Sequence, residues 1–139
     1  MKILFMCVAN SARSQLAEAI AKSVFKKEAQ IFSAGSNPKS VHPLTLECLQ
    51  ANRLETEGLW SKSVVDLPEE FRNSVDYIIT LCAEEVCPIL PNTRAHKLHW
   101  PIPDPASSES VEGFKRVFDI LVEQINLFHL NLGSKKATY

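Results

Sequence analysis

A cysteine and an arginine six positions apart, Cys7 and Arg13, stand between a short apolar run and the start of a helical pattern. A loop that joins a strand to a helix directs several backbone N–H groups toward one point, and the helix dipole adds about half a positive charge there. Such a loop binds an oxyanion and favours the thiolate of a cysteine, whose pKa falls from about 8.5 to between about 3.5 and 7.5 in these surroundings. The spacing therefore predicts an oxyanion pocket in which Cys7 is the nucleophile and Ser14 donates a hydrogen bond to its sulfur. A buried structural cysteine beside a surface arginine is the alternative explanation.

We call residues 7–14 the anion loop. The residues expected to surround the oxyanion are Val8, Ala9, Asn10, Ser11, Ala12, Arg13 and Ser14.

A second pair of thiols, Cys82 and Cys87, follows the strongest strand pattern in the chain. On a helix, residues five positions apart have Cα atoms about 8.6 Å apart, whereas a disulfide needs less than about 7 Å. A disulfide between them would require a helical segment to unwind, and Pro88 already disfavours helical angles at Cys87. The pattern is typical of resolving thiols. Ordinary thiols without pairing, or zinc ligands together with His96 and His99, are the alternatives, although the spacing matches no standard zinc frame.

Asp104 lies between two prolines, Pro103 and Pro105. Prolines fix φ and keep the neighbouring chain extended, so the carboxyl group is presented rigidly. Within about 3 Å of a bound oxyanion, Asp104 would act as a general acid that protonates a departing oxygen. A stiffened surface turn is the alternative.

The elements that must position these groups alternate between strand and helix patterns. Apolar runs predict strands at 3–6, 31–32, 75–81 and 95–98, with turn residues at 33–38. Helical spacing predicts helices at 14–26, from Pro43, at 67–71 and around 114–128. This alternation predicts an α/β fold, a three-layer sandwich with a four-stranded parallel sheet and flanking helices. Ligands of such sheets bind beyond the carboxyl ends of the strands, so Cys7, Cys82 and Asp104 are expected at one rim.

The composition limits the classes of partner. The 139-residue chain is expected to form a single domain, 1–139, with a frayed tail over 134–139. Its 15 basic and 16 acidic residues give a net charge of −1, which argues against nucleic acid or an anionic membrane as a partner. No apolar stretch reaches the length of a membrane span or a signal-peptide core. Four cysteines are typical of reactive thiols in a reducing compartment, so we expect a cytoplasmic monomer, with Cys48 in the core.

The motifs and their order resemble those of the thioredoxin-coupled arsenate reductases, relatives of the low-molecular-weight protein tyrosine phosphatases. The resemblance spans the chain from the first loop to the terminal helix. It is carried by Cys7-x5-Arg13-Ser14, by the Cys82 and Cys87 pair before Pro88-Ile89-Leu90-Pro91, and by His99-Trp100 leading to Asp104-Pro105-Ala106. It implies the low-molecular-weight tyrosine phosphatase fold, an oxyanion held by Arg13 and backbone amides, and a nucleophilic Cys7.

The resemblance also implies a relay of three thiols that reduces arsenate to arsenite. Cys7 attacks arsenic, Asp104 protonates the leaving oxygen, and Cys82 attacks the arsenic adduct of Cys7, so that arsenite departs and a Cys7–Cys82 disulfide remains. Cys87 then attacks Cys82. The resulting Cys82–Cys87 disulfide is reduced by thioredoxin, with glutaredoxin or a low-molecular-weight thiol as alternative reductants. The relay requires neither a metal nor an organic cofactor.

Two other functions remain open from the residues. A phosphatase acting on phosphotyrosine or small phosphate esters would use Cys7, Arg13 and Asp104 and would not need Cys82. Against it, Ala106 stands where phosphatase relatives tend to carry aromatic residues that flank a phosphotyrosine ring. A thiol-based redox or arsenic sensor is the third reading, and it would respond without multiple turnover.

Overall fold

The four strands in the described part of the chain are short, and all of them run in the same direction. The computed structural model describes residues 1–83, 94–107 and 109–137. Its strands and helices, in chain order, are β1 (Lys2–Cys7), α1 (Arg13–Phe25), β2 (Gln30–Gly35), α2 (Pro43–Ala51), α3 (Glu69–Asn73), β3 (Tyr77–Thr80), β4 (His96–His99) and α4 (Val111–Ala137).

The strands form one parallel sheet in the order β2-β1-β3-β4. In the register of this sheet, Cys7 lies opposite Gly35, and Met6 lies opposite Thr80. The carboxyl ends of the strands therefore share one edge, and the segments that follow them meet there. The predicted α/β fold with a four-stranded parallel sheet is confirmed.

Both faces of the sheet are covered, which explains the unbroken apolar run in β1. Ile3 and Phe5 belong to the larger core cluster, which includes buried residues of α1 and α4. Leu4 and Met6 belong to the smaller cluster, where Phe71 of α3 is buried. Successive side chains of a strand point to opposite faces, so the run serves two cores at once.

The apolar face of α4 contributes to the larger cluster at helical spacing. Its buried residues include Phe114, Val117, Phe118, Leu121, Ile125 and Phe128. The helix continues through Ala137, so residues 134–137, expected in a frayed tail, are helical, while 138–139 lie outside the described residues. In the described part of the chain, no helix has the length and apolar character needed to cross a membrane.

Several element boundaries differ from the sequence prediction, and two of these differences have a clear physical cause. β2 extends to Gly35, so residues 33–35 are strand and not turn, because β2 pairs with β1 along its whole length. The short helix α3 begins at Glu69, two residues later than predicted, because Pro68 takes the capping position with an extended ψ of 134°.

Candidate active site

Cys7 is both the last residue of β1 and the first residue of the anion loop. The Cys7 Sγ atom is 2.8 Å from the Ser14 Oγ atom, and the two residues are 2% and 0% exposed. A thiolate only accepts hydrogen bonds, so the Ser14 hydroxyl is the donor whenever Cys7 is ionised. The contact predicted from the sequence between Ser14 and the Cys7 sulfur is present.

The carbonyl groups of the anion loop are held from outside by the segment that follows β2. The N–H groups of Asn37, Lys39 and His42 donate to the carbonyl oxygens of Val8, Ala9 and Ser11 at 2.9, 2.9 and 3.1 Å. In a trans peptide the C=O and the following N–H point in opposite directions. Holding these three carbonyls outward therefore turns the N–H groups of residues 9, 10 and 12 to the opposite side of the loop, which a bound oxyanion would face.

The Arg13 guanidinium joins the anion loop to the segments after β3 and β4. Its Nη1 atom donates to the carbonyl oxygens of Leu81 and Ile102 at 3.3 and 2.9 Å. Its Nη2 atom lies 4.0 Å from Asp104 Oδ2. Arg13 is buried, whereas the Asp104 side chain is 40% exposed. The cation that would hold an oxyanion is thus fixed in place, with the candidate acid beside it at the surface.

Asp104 is oriented by its own backbone turn. Its Oδ1 atom accepts a hydrogen bond from the Ala106 N–H at 3.0 Å. This leaves Oδ2 on the side of Arg13, which is the orientation that a proton donor to a bound oxyanion needs.

A cleft of about 340 Å³ connects these groups. Its charged and polar lining comes from three segments: the anion loop, the segment after β2 and the segment after β4. The lining residues are Cys7, Ala9, Ser11, Ala12, Arg13, Lys39, His42, Asp104, Ala106 and Glu109. Ala9, Ala12 and Ala106 leave the cleft without a large side chain at these positions, which suits a small inorganic anion.

Asn10 belongs to the anion loop, and its side chain links the loop to other segments through hydrogen bonds. It adopts a φ of 48°, in the left-handed region that asparagine tolerates better than most residues. Its Oδ1 atom accepts from the Lys62 N–H at 3.0 Å and from Gln15 Nε2 at 2.9 Å. Its Nδ2 atom donates to Ser14 Oγ at 2.7 Å and to Ser33 Oγ at 2.9 Å. Asn10 therefore connects the hydroxyl that contacts Cys7 to a second buried hydroxyl.

A buried ion pair lies behind Asn10. Ser33 Oγ donates to Glu18 Oε1 at 2.7 Å, and Lys62 Nζ is 3.3 Å from the same oxygen. Lys62 is 3% exposed and Glu18 is 1% exposed. Burial lowers the pKa of Lys62, and the Glu18 carboxylate acts in the opposite direction. An ammonium group in such a place persists only because it is paired.

Cys82 lies two residues after β3, at the same edge of the sheet as Cys7. The Leu81 N–H donates to the Met6 carbonyl at 2.9 Å, so the chain leading to Cys82 continues beside the end of β1. Cys82 is 1% exposed and is not among the described residues that line the cleft. Cys87 and Pro88, with the rest of 84–93, lie outside the described residues.

The zinc alternative gains no support from the part of the chain that is described. Across residues 1–83, 94–107 and 109–137, no group of three or more His, Cys, Asp or Glu side chains could hold a metal ion. His96 and His99 both lie on β4, and the His99 ring contacts Thr80 Oγ1 at 2.7 Å.

Cys48 is half-buried and packs against the larger core cluster, so the prediction of a core position holds only in part. Burial raises its pKa, and Asp119 and Glu47 add to the rise. These surroundings favour the neutral thiol and do not suit a nucleophile.

Several residues around the site were missed from the sequence, among them Gly35 and Lys62. Gly35 packs so tightly on the anion loop that a Cβ atom would lie 2.4 Å from the Val8 carbonyl oxygen. A glycine at the end of a strand is a recognised sign of such a close backbone approach. Lys62 carries no comparable local sign, because nothing near it in the sequence indicates that a lysine is buried there.

Comparison with known proteins agrees with this geometry. The family model described as low molecular weight phosphotyrosine protein phosphatase matches residues 2–138. An arsenate reductase of Brevibacillus brevis is 36% identical over 128 residues, which cover 91% of this chain and 92% of the relative. A solved arsenate reductase in the phosphate binding state is 27% identical, with a TM-score of 0.79 and coverage of 91% of this chain and 95% of that one. A thioredoxin-dependent arsenate reductase of Corynebacterium glutamicum is 27% identical, with a TM-score of 0.75 over 96% of this chain and 62% of that one. With its sheet, its anion loop and nearly its whole length matched, the chain belongs to the low molecular weight phosphotyrosine protein phosphatase family.

Proposed function

We propose that the protein reduces arsenate to arsenite, with Cys7 as nucleophile and Cys82 and Cys87 as resolving thiols. The observation that carries the proposal is the position of Cys82, at the carboxyl end of β3 and beside the end of β1. Hydrolysis of a phosphate ester needs only Cys7, Arg13 and Asp104, and it has no use for a thiol at that edge. Curated relatives that share 34% and 36% identity with this chain are named arsenate reductases, which supports the same conclusion.

The first step forms a bond between Cys7 sulfur and arsenic. The Cys7 thiolate, held by the Ser14 hydroxyl, attacks arsenate bound by Arg13 and the amides of residues 8–14. One arsenic–oxygen bond breaks, and the oxygen leaves as water after taking a proton from Asp104. Arsenic remains in its pentavalent state in this adduct.

The second step transfers the electrons. The Cys82 thiolate, whose proton passes to solvent, attacks the sulfur of Cys7. A Cys7–Cys82 bond forms, and the electron pair of the sulfur–arsenic bond goes to arsenic, which leaves as trivalent arsenite. Two thiols have been oxidised to one disulfide, and one arsenic has gained two electrons.

The third step restores Cys7. Cys87 attacks Cys82, which releases the Cys7 thiolate and leaves a Cys82–Cys87 disulfide. A dithiol reductant of the thioredoxin type then reduces this disulfide, with glutaredoxin or a small thiol as the alternatives. The cycle needs a reducing compartment, so we place the enzyme in the cytoplasm, acting as a single-domain monomer.

The proposal is tested by arsenate turnover with thioredoxin, thioredoxin reductase and NADPH. Cys7→Ser, Cys82→Ser and Cys87→Ser are each expected to abolish multiple turnover, whereas Cys48→Ser, a matched change outside the cleft, keeps it. Mass spectrometry after one turnover of Cys87→Ser is expected to find the Cys7–Cys82 disulfide trapped.

Hydrolysis of para-nitrophenyl phosphate separates this function from a phosphatase. Cys7→Ser removes any such hydrolysis, whereas Cys82→Ser leaves it unchanged. Full arsenate turnover by Cys82→Ser would contradict the relay, and a single oxidation without cycling would favour a sensor.

A further inference from the structure

Lys62 contacts the anion loop through its backbone N–H, and its side chain pairs with Glu18 of α1. Its N–H donates to Asn10 Oδ1, its carbonyl accepts from the Gly35 N–H at 2.9 Å, and its ammonium contacts Glu18 Oε1. The ammonium also donates to the Trp60 carbonyl at 3.1 Å. None of the roles in the reaction described above uses this residue.

The carboxylate of Glu18 determines the direction of a chain of hydrogen bonds that ends at Cys7. An ionised carboxylate only accepts, so the Ser33 hydroxyl must donate to it and is left to accept from Asn10 Nδ2. The second hydrogen of Asn10 Nδ2 goes to Ser14 Oγ. The hydroxyl hydrogen of Ser14 then has the Cys7 sulfur as its acceptor.

The orientation of the Asn10 amide is fixed independently. Two donors, the Lys62 N–H and Gln15 Nε2, face its Oδ1 atom, so the amide nitrogen must face the two hydroxyls. A reversed amide would place its NH₂ group against the Lys62 N–H and Gln15 Nε2 donors. Its oxygen would then face the Ser14 and Ser33 hydroxyls and could not donate to either.

We propose that Lys62 is a positioning residue for the Cys7 nucleophile. Its buried ammonium keeps the Glu18 carboxylate in place as a hydrogen-bond acceptor. The hydrogen bonds of Ser33 and Asn10 then fix the Ser14 hydroxyl so that it donates to the Cys7 thiolate. The inference rests on the proposed function only in taking Cys7 as the nucleophile.

Lys22 provides a matched control for the charge of Lys62. Its Nζ atom contacts the other oxygen of the same carboxylate, Glu18 Oε2, at 2.7 Å, but its side chain is 50% exposed. When an exposed ammonium is removed, water can take over its hydrogen bond to the carboxylate, whereas water does not reach the site of a buried ammonium. If Lys62 acted only by neutralising the charge of Glu18, replacing either lysine would have a similar effect on Cys7.

The test is the pH dependence of Cys7 alkylation by iodoacetamide, with the Cys7 peptide quantified by mass spectrometry. We expect Lys62→Met to raise the midpoint pH by about one unit, which makes alkylation about tenfold slower below both midpoints. Ser33→Ala, which breaks the chain without changing any charge, is expected to do the same. Lys22→Met is expected to keep the wild-type midpoint.

Alkylation uses no arsenate, so the test is decided even if the enzyme proves to have another substrate. A folded Lys62→Met with the wild-type midpoint would overturn the proposal. A shift in Lys62→Met without one in Ser33→Ala would identify a long-range charge effect and also overturn it. If thermal denaturation shows that Lys62→Met does not fold, Ser33→Ala decides alone, and an unchanged midpoint there refutes the chain.

Discussion

Replacing Gly35 with alanine tests whether the anion loop is positioned by backbone contact with β2. The added Cβ atom would lie 2.4 Å from the Val8 carbonyl oxygen, 2.9 Å from the Asn10 nitrogen and 3.0 Å from the Cys7 carbonyl oxygen. All three are backbone atoms, so no flexible side chain can give way. The Val8 oxygen must retreat by about 0.6 Å to reach even 3.0 Å, and by about 1 Å to reach ordinary contact.

A displacement of this size is comparable to those that cost about 10²-fold in rate. We therefore expect kcat/KM for arsenate to fall about 10²-fold in Gly35→Ala, or about 2.7 kcal/mol of transition-state stabilisation. Overpacking should also cost about 1–3 kcal/mol of unfolding free energy.

Steady-state kinetics and thermal denaturation, with Gly133→Ala as control, measure both effects. Gly133 lies in α4 with nothing within 4 Å of the added carbon, so the control should keep wild-type kinetics and stability, or gain stability slightly. Wild-type kcat/KM in Gly35→Ala would refute the reasoning.

Three further expectations concern single groups of the site and its surroundings. Asp104→Asn should lower kcat for arsenate about 10²- to 10⁴-fold with little change in KM, measured in initial rates, because the amide cannot supply the proton. Arg13→Lys should lower kcat/KM about 10²- to 10³-fold, because a lysine cannot bridge the Leu81 and Ile102 carbonyls and bind an oxyanion bidentately; equal kcat/KM would exclude this role. For Cys48, the pKa is raised in the folded state, so its contribution to stability is present below the ordinary value of 9.0 and is lost as pH rises through the folded value. Urea titrations at pH 7 and pH 10 should therefore show a larger loss of stability for wild type than for Cys48→Ala, and parallel losses would contradict the assigned surroundings.

The part of the site that could be read from the sequence is the part made by adjacent residues. Cys7, Arg13 and Ser14 lie within one strand-to-helix junction, and there the geometry follows from local chain direction and the first turn of α1. The parallel direction of the strands could be inferred from their alternation with helices, which places Cys82 and Asp104 at the same edge as Cys7.

The part that could not be read depends on contacts between distant segments. Residues 33–35 have turn-like chemistry, yet pairing with β1 extends them into a strand. Lys62 looks like a surface residue in sequence, yet it is buried because Glu18, 44 positions away, faces it. Local composition carries no information on such a pair, since the cost of burying each charge is offset only by the other.

Arg13 links the cleft to the chain that leads to Cys82, the thiol proposed to act second. The residue before Cys82 is held on both sides: the Leu81 N–H donates to Met6, and its carbonyl accepts from Arg13 Nη1 and from the Ile102 N–H at 3.1 Å. Cys82 is buried and is not among the described residues that line the cleft, so in the proposed relay we expect it to move before it attacks Cys7. Leu81 is fixed by three hydrogen bonds, so we expect that movement to begin after Leu81 and to leave β3 in place. In the proposed mechanism the same guanidinium would hold both the oxyanion and the residue that precedes Cys82.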